Sequence, residues 1–180
     1  MKSGFMQQII NTYRQFVPAM RFAGIKYHDE DRVDGTFASK WQDWFESERF
    51  SELESLLTSG FKRSYEDHDA SIGLMRQKEG EPFEYWIGMF LPEGSEVPDG
   101  FDFIDFPASH LGVCWVHGTE DDVYCKEDKC AQKLEAGGFR IMNDEKGARW
   151  FFERYVCPRF TSPDESGKVV LDICYFVREE

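Results

Sequence analysis

Hydrophobic and polar positions change rhythm several times along this chain, and each change marks an element. Phe5, Ile9, Tyr13 and Phe16 recur at near-helical spacing, so a helix is expected over 4–16, ended by Pro18. A strand follows over 19–27, where Met20, Phe22 and Tyr27 fit strand positions, and Asp29-Glu30-Asp31 reads as a solvated turn. From Phe37 the period lengthens. Phe37, Trp41, Trp44 and Phe45 form the stripe of an amphipathic helix, which Phe50, Leu53, Leu56 and Leu57 continue or restart, with Gly60 closing it. Strands are expected over 70–76 and 83–91. A long break then carries Pro92-Glu93-Gly94, Pro98-Asp99-Gly100 and Pro107, all turn formers.

The second half repeats the first in pattern. A β-rich run from His110 to His117 precedes a helix expected to open at Thr119, with Thr119 as N-cap and acids in its first turn. Val123, Cys130 and Leu134 fall on one side of it, and Gly137-Gly138 stop it. Strands over 148–156 and 169–177 follow, separated by a turn-rich loop over 158–167. Each half therefore reads strand, helix, strand, strand, the two starting near Met20 and His110, about ninety positions apart. The expected fold is α+β: one domain of duplicated strand-helix-strand-strand units, over about 18–91 and 108–178, with antiparallel sheets framing a central cleft.

Composition narrows the function. Hydrophobic residues at 41% and aromatics at 16% suffice for a real core. The formal charge of -13 repels phosphate backbones and anionic membranes and attracts cations, so direct nucleic-acid binding is disfavoured; the same acidity also serves plain solubility. No stretch reads as a signal peptide or a membrane span. Cys114, Cys125, Cys130, Cys157 and Cys174 are odd in number and scattered, as expected of reduced thiols in a cytoplasmic protein. They also supply no metal site: Cys125 and Cys130 are wrongly spaced on the expected helix, and His110 with Cys114 lacks a third ligand. No phosphate loop or nucleophile elbow occurs, and no cofactor is expected.

Glu153 is the most informative position. It lies in the apolar strand Trp150-Phe-Phe-Glu-Arg-Tyr-Val156, where a carboxylate is costly unless paired or wetted. Alternation puts Phe151, Glu153 and Tyr155 on one face, suited to holding an aromatic cation or delivering a proton. The alternative is a structural ion pair with a nearby arginine. Asp172, sharing a face with Cys174 and Phe176, would raise one of the two carboxyl pKa values if it adjoined Glu153; otherwise it caps an edge or faces solvent. Tyr85, Trp86, Trp115, Trp150 and Tyr155 offer aromatic surface to either a pocket or a core, whereas Trp41 and Trp44 belong to the helix stripe and read as core.

The aromatic strand and loop Pro82-Phe-Glu-Tyr-Trp-Ile-Gly-Met-Phe-Leu-Pro-Glu-Gly-Ser-Glu-Val-Pro-Asp-Gly-Phe101 resembles the GyrI-like effector-binding family. So do the late strands Trp150 to Phe160 and Leu171 to Val177, and the likeness runs from about Pro18 onward. The resemblance implies a duplicated α+β fold with a hydrophobic cleft for drugs or metabolites, of the kind met in bacterial transcription regulators and toxin-resistance proteins. It also implies a cleft glutamate, which Glu153 matches. Taken with the strand faces and aromatic surface above, the candidate ligand set is Glu153, Tyr155, Phe151, Trp86, Tyr85, Trp115, Trp150, Asp172 and Phe176. In an alternative, hydrolytic member acting on cyclopropane-containing genotoxins, Glu153 would activate water and Tyr155 would assist the leaving oxygen. Too few residues precede the first expected strand for a helix-turn-helix module, so the expected partner is a small molecule, with an acidic protein-interaction surface as the plainer option.

Overall fold

Residues 8–179 are described by the computed structural model, and their eight strands join one antiparallel sheet. The elements in chain order are β1 (Ile9–Val17), β2 (Met20–Tyr27), α1 (Ala38–Glu46), α2 (Arg49–Glu54), α3 (Ser59–Ser64), β3 (Ser71–Gln77), β4 (Glu84–Pro92), β5 (Asp102–Phe106), β6 (Ser109–Gly118), α4 (Glu127–Ala136), β7 (Arg149–Tyr155) and β8 (Val169–Val177). The α+β class and the duplicated units expected from the sequence are present, with one continuous sheet in place of separate ones. Its order is β1-β6-β8-β7-β3-β4-β2-β5. In each unit the strand after the helices is innermost, so β3 and β7 meet at the centre, with Gly73 opposite Glu153. Among the described residues no helix is long and apolar enough to cross a membrane.

The remaining strands are exchanged between the units. β1 pairs with β6 of the second unit, and β5 pairs with β2 of the first. Pro18-Ala19 joins β1 to β2, and Pro107-Ala108 joins β5 to β6. Such short links between strands at opposite sides of the order require the sheet to curl. Ring contacts confirm the curl: Phe106 of β5 stacks on Phe176 of β8 at 5.0 Å, although a flat sheet with strands ~4.8 Å apart would hold them more than ~20 Å apart. Gly24 and Gly88 face each other across β2 and β4, where the backbones approach too closely for side chains. A Cβ on Gly24 would lie 2.1 Å from the Ile87 carbonyl oxygen, and one on Gly88 2.0 Å from that of Ala23.

Both faces of the sheet's central strands are buried. Trp44, Phe50 and Leu53 of α1 and α2, with Cys130 and Leu134 of α4, cover the outer face over Met75, Ile87, Phe151 and Tyr175. The inner face packs on itself through Phe22, Phe90, Phe106, Phe152 and Phe176, with Phe61 and Tyr65 closing one end. Four expectations are corrected. The segment expected as a helix over 4–16 is strand β1 over its described part; Phe5 lies outside the described residues. A β-bulge between Ile9 and Asn11 and an exposed Phe16 give it the false helical rhythm. Thr119 caps no helix: its hydroxyl donates to Asp122, and α4 begins later, so Cys125 precedes it in a left-handed turn. Gly60 lies inside α3 rather than ending a helix, Thr58 being the cap that accepts from the Phe61 N–H, and the central break contains β5.

The glycine crossing gives a direct stability test. G88A should cost roughly 3 kcal/mol or more, because backbone rather than a movable side chain stands in the way. G60A, on an open helical site, should be neutral or stabilising by up to ~1 kcal/mol. Urea unfolding of both variants measures the contrast.

Candidate functional site

Alternation along β7 sends Phe151, Glu153 and Tyr155 to the outer face, beneath the helices, and Trp150, Phe152 and Arg154 into the curl. Glu153 is only 6% exposed. Tyr85, from β4, donates its hydroxyl to Glu153 Oε1 at 3.3 Å, and itself accepts the Trp41 indole N–H from α1 at 2.9 Å. Phe37 stacks on the Tyr85 ring at 4.3 Å. Trp41 and Phe160 both meet Tyr155 edge-on, at 5.0 and 4.8 Å. Phe151 stacks on Tyr175 at 5.0 Å, and the Tyr175 hydroxyl donates to the Glu127 carbonyl at 3.0 Å, tying the site to the start of α4.

The electrostatics are those of an uncompensated acid. Burial pushes the Glu153 carboxyl up to about 8, the Glu127 charge pushes the same way, and the Tyr85 and Tyr155 hydroxyls pull it back. Burial likewise raises Glu127, with Asp128 adding to it. Burial and Glu153 hold the Tyr85 and Tyr155 phenols well above their ordinary range, and Tyr124 is raised by burial, Glu120 and Glu153. Among the described residues, no arginine or lysine pairs with Glu153, so the ion-pair alternative for it fails. Its charged neighbour is another carboxylate.

Arg154, the next residue, is the opposite case. Fully buried in the curl, it donates through Nε to Asp172 at 2.9 Å, while its Nη2 lies 2.8 Å from Asp172 and 3.2 Å from Asp67, out of line for a hydrogen bond. Arg159 bridges the same two acids, at 2.6 Å to Asp172 and 3.3 Å to Asp67. The register decides this: Arg154 stands opposite Asp172, and Glu153 opposite Ile173. Asp172 therefore does not adjoin Glu153.

The sequence-derived set thus divides in two. Glu153, Tyr155, Phe151 and Tyr85 come together on the outer face. Trp86, Trp115, Trp150, Asp172 and Phe176 belong to the inner face and cannot reach that cluster. Trp150 packs on Phe106, and Trp115 donates to Tyr13 beneath the Arg159 guanidinium. Trp41, Phe37, Tyr124 and Glu127 join the cluster without having been singled out for it. Spacing alone made Trp41 another core position, and the misplaced start of α4 hid Tyr124 and Glu127. A surface hollow of about 750 Å³ between Arg32 and Arg149 is open, rich in charged groups of both signs, and lined by none of these residues. The buried acid is the more specific feature, and a ligand reaching it must displace the aromatic side chains covering it. Among the described residues no group of three or more His, Cys, Asp or Glu could hold a metal.

No protein-family model matches the sequence, and no curated protein matches it. Solved structures do share the fold. SAV2435 bound to tetraphenylphosphonium aligns with a TM-score of 0.64 at 17% identity, over 94% of this chain and 95% of that one. A Staphylococcus aureus protein assigned to bacterial transcription regulation gives 0.62 at 17% identity, over 93% and 98%. The C-terminal domain of EcmrR gives 0.59 at 11% identity, over 94% and 98%. At this identity the likeness shows the fold alone.

Two measurements separate the paired charge from the unpaired one. Between pH 4.5 and 8 the folded chain keeps a proton on Glu153 that the unfolded chain has released, so Glu153 makes stability fall as pH rises through that window. E153Q should remove this dependence, for a gain at pH 8 of at most about 5 kcal/mol, one pKa unit being ~1.4 kcal/mol. Thermal unfolding across pH reads it. D172N, which leaves Arg154 and Arg159 to share Asp67, should instead cost about 3–5 kcal/mol near neutral pH in urea unfolding.

Proposed function

We propose that the chain binds amphipathic aromatic cations at the aromatic cluster around Glu153, where the ligand displaces the covering side chains. One observation carries this: a buried carboxylate with no cationic partner among the described residues, ringed by Trp41, Tyr85, Tyr155 and Phe151. A neutral ligand would leave the acid protonated, whereas a cation would replace its proton and gain both an ion pair and the faces of the surrounding rings. The structure of SAV2435 with tetraphenylphosphonium, which shares the fold, supports a ligand of this class. The formal charge of -13 favours cations at long range and opposes nucleic acid, so a small molecule rather than duplex DNA is the proposed partner.

Calorimetry with tetraphenylphosphonium at pH 8 tests the reading, with triphenylphosphine oxide as the neutral control. E153Q should weaken the cation by roughly 1–3 kcal/mol and leave the neutral compound unchanged. Proton release should make the binding enthalpy depend on the buffer in the wild type and not in E153Q. Absence of tetraphenylphosphonium binding, or equal binding by E153Q, would overturn the proposal. Turnover of a strained electrophile that disappears in E153Q would make the same carboxylate a hydrolytic group instead.

A further inference from the structure

We infer that Gly73 is a positioning residue of this site: its missing Cβ is what lets the Tyr85 hydroxyl seat between Trp41 and Glu153. Gly73 lies at the centre of the sheet, opposite Glu153 on β7 and Ile87 on β4. A Cβ there would stand 2.6 Å from the Tyr85 hydroxyl oxygen, 3.2 Å from its ring carbon Cζ and 3.2 Å from Glu153 Oε1. A tyrosine hydroxyl can ordinarily yield to such a contact, but this one is held from several directions. Phe37 lies flat against its ring, with the Arg32 guanidinium 4.4 Å from the Phe37 centroid. Trp41 donates to its oxygen, and that oxygen donates to Glu153. The Glu153 bond, at 3.3 Å, is the longer of the two hydrogen bonds and the one a methyl group at position 73 would break first.

The consequence is chemical as well as steric. The Tyr85 hydroxyl stabilises the ionised form of Glu153, the form that would meet a cation. Displacing it leaves a carboxylate that is as deeply buried but ionises less readily. Gly73 would thus set how strongly the site takes positive charge without touching the ligand. Alanine, the smallest change available, suffices to test it.

The experiment is a double-mutant cycle of G73A, Y85F and G73A/Y85F in the full chain, with two readouts. The first is the Glu153 titration followed by carboxyl carbon NMR, which needs no ligand; the second is calorimetric affinity for tetraphenylphosphonium at pH 8. G73A and Y85F should each raise the Glu153 titration midpoint and weaken the cation by about tenfold, the scale of one hydrogen bond to a charged group. The double variant should resemble Y85F alone, because the oxygen that clashes with the new Cβ is gone. A wild-type titration in G73A, or losses that simply add in the double variant, would overturn the inference. If G73A does not fold, recovery of folding in G73A/Y85F supports it and failure of both overturns it. The binding readout rests on the cation reading of the site, but the titration does not: a wild type that ignores tetraphenylphosphonium would defeat that reading and leave the Gly73 test intact.

Discussion

The curl of the sheet is the constraint on which the other features depend. Strands that are far apart in the order are joined through Pro18-Ala19 and Pro107-Ala108, and the backbones of β2 and β4 nearly touch at Gly24 and Gly88. A sheet bent this far has no solvent face at its centre. The inner side fills with phenylalanines from strands that a flat sheet would keep apart, and the outer side is roofed by helices. Every central strand therefore supplies two cores, and a polar residue at its middle must find partners inside the protein or go without.

Consecutive residues of β7 meet that demand in opposite ways. Arg154 enters the inner core and is compensated by Asp172 and Asp67, with Arg159 balancing the second acid. Four charges satisfy one another there, and the cluster works as a structural clasp between β7, β8 and the segment after α3. Glu153 enters the outer layer and receives hydroxyls and rings but, among the described residues, no positive charge. Native structures retain an uncompensated group of this kind where it serves something other than stability. The contrast between neighbours gives Glu153 its meaning, since a fold able to neutralise Arg154 so fully had the means to neutralise Glu153 as well.

How much of this was legible in the sequence depended on whether the information was local. Parity along one strand is local, and it put Phe151, Glu153 and Tyr155 on a common face. Register between strands is not. Nothing in Leu171-Asp172-Ile173 says that Asp172 will stand beside Arg154, so the supposed pair of carboxylates dissolved once β7 and β8 were aligned. β1 misled for a related reason. The bulge between Ile9 and Asn11 puts Ile9 with the outer core and Tyr13 with the inner one, so their four-residue step, which suits a helix, is not one strand face; Phe16, 61% exposed, contributes nothing to the core. The helix stripe was read correctly as a stripe, yet only the three-dimensional packing shows that Trp41 spends its N–H on Tyr85 while Trp44 spends its own on Tyr27.

The chemistry of the cluster also narrows which cations it suits. A small, strongly hydrated ion must exchange its water for several oxygen ligands, and among the described residues Glu153 has the neighbouring Glu127 but no third His, Cys, Asp or Glu to complete a metal-holding group. A delocalised aromatic cation carries far less hydration to lose, since its charge is spread over a large apolar surface. It can lie against Trp41, Tyr155 and Phe151, whose ring faces and edges already pack by quadrupole attraction, and it needs only one acid for its charge. Burial raises the cost of ionising Glu153 in the empty site, and that same burial strengthens the attraction once the cation has displaced the proton, because little water remains to screen the pair. In the proposed role, selection for charge and selection for apolar bulk would thus arise from one environment, and an acid in the middle of an aromatic strand would suit a lipophilic cation better than a metal ion or a neutral hydrocarbon.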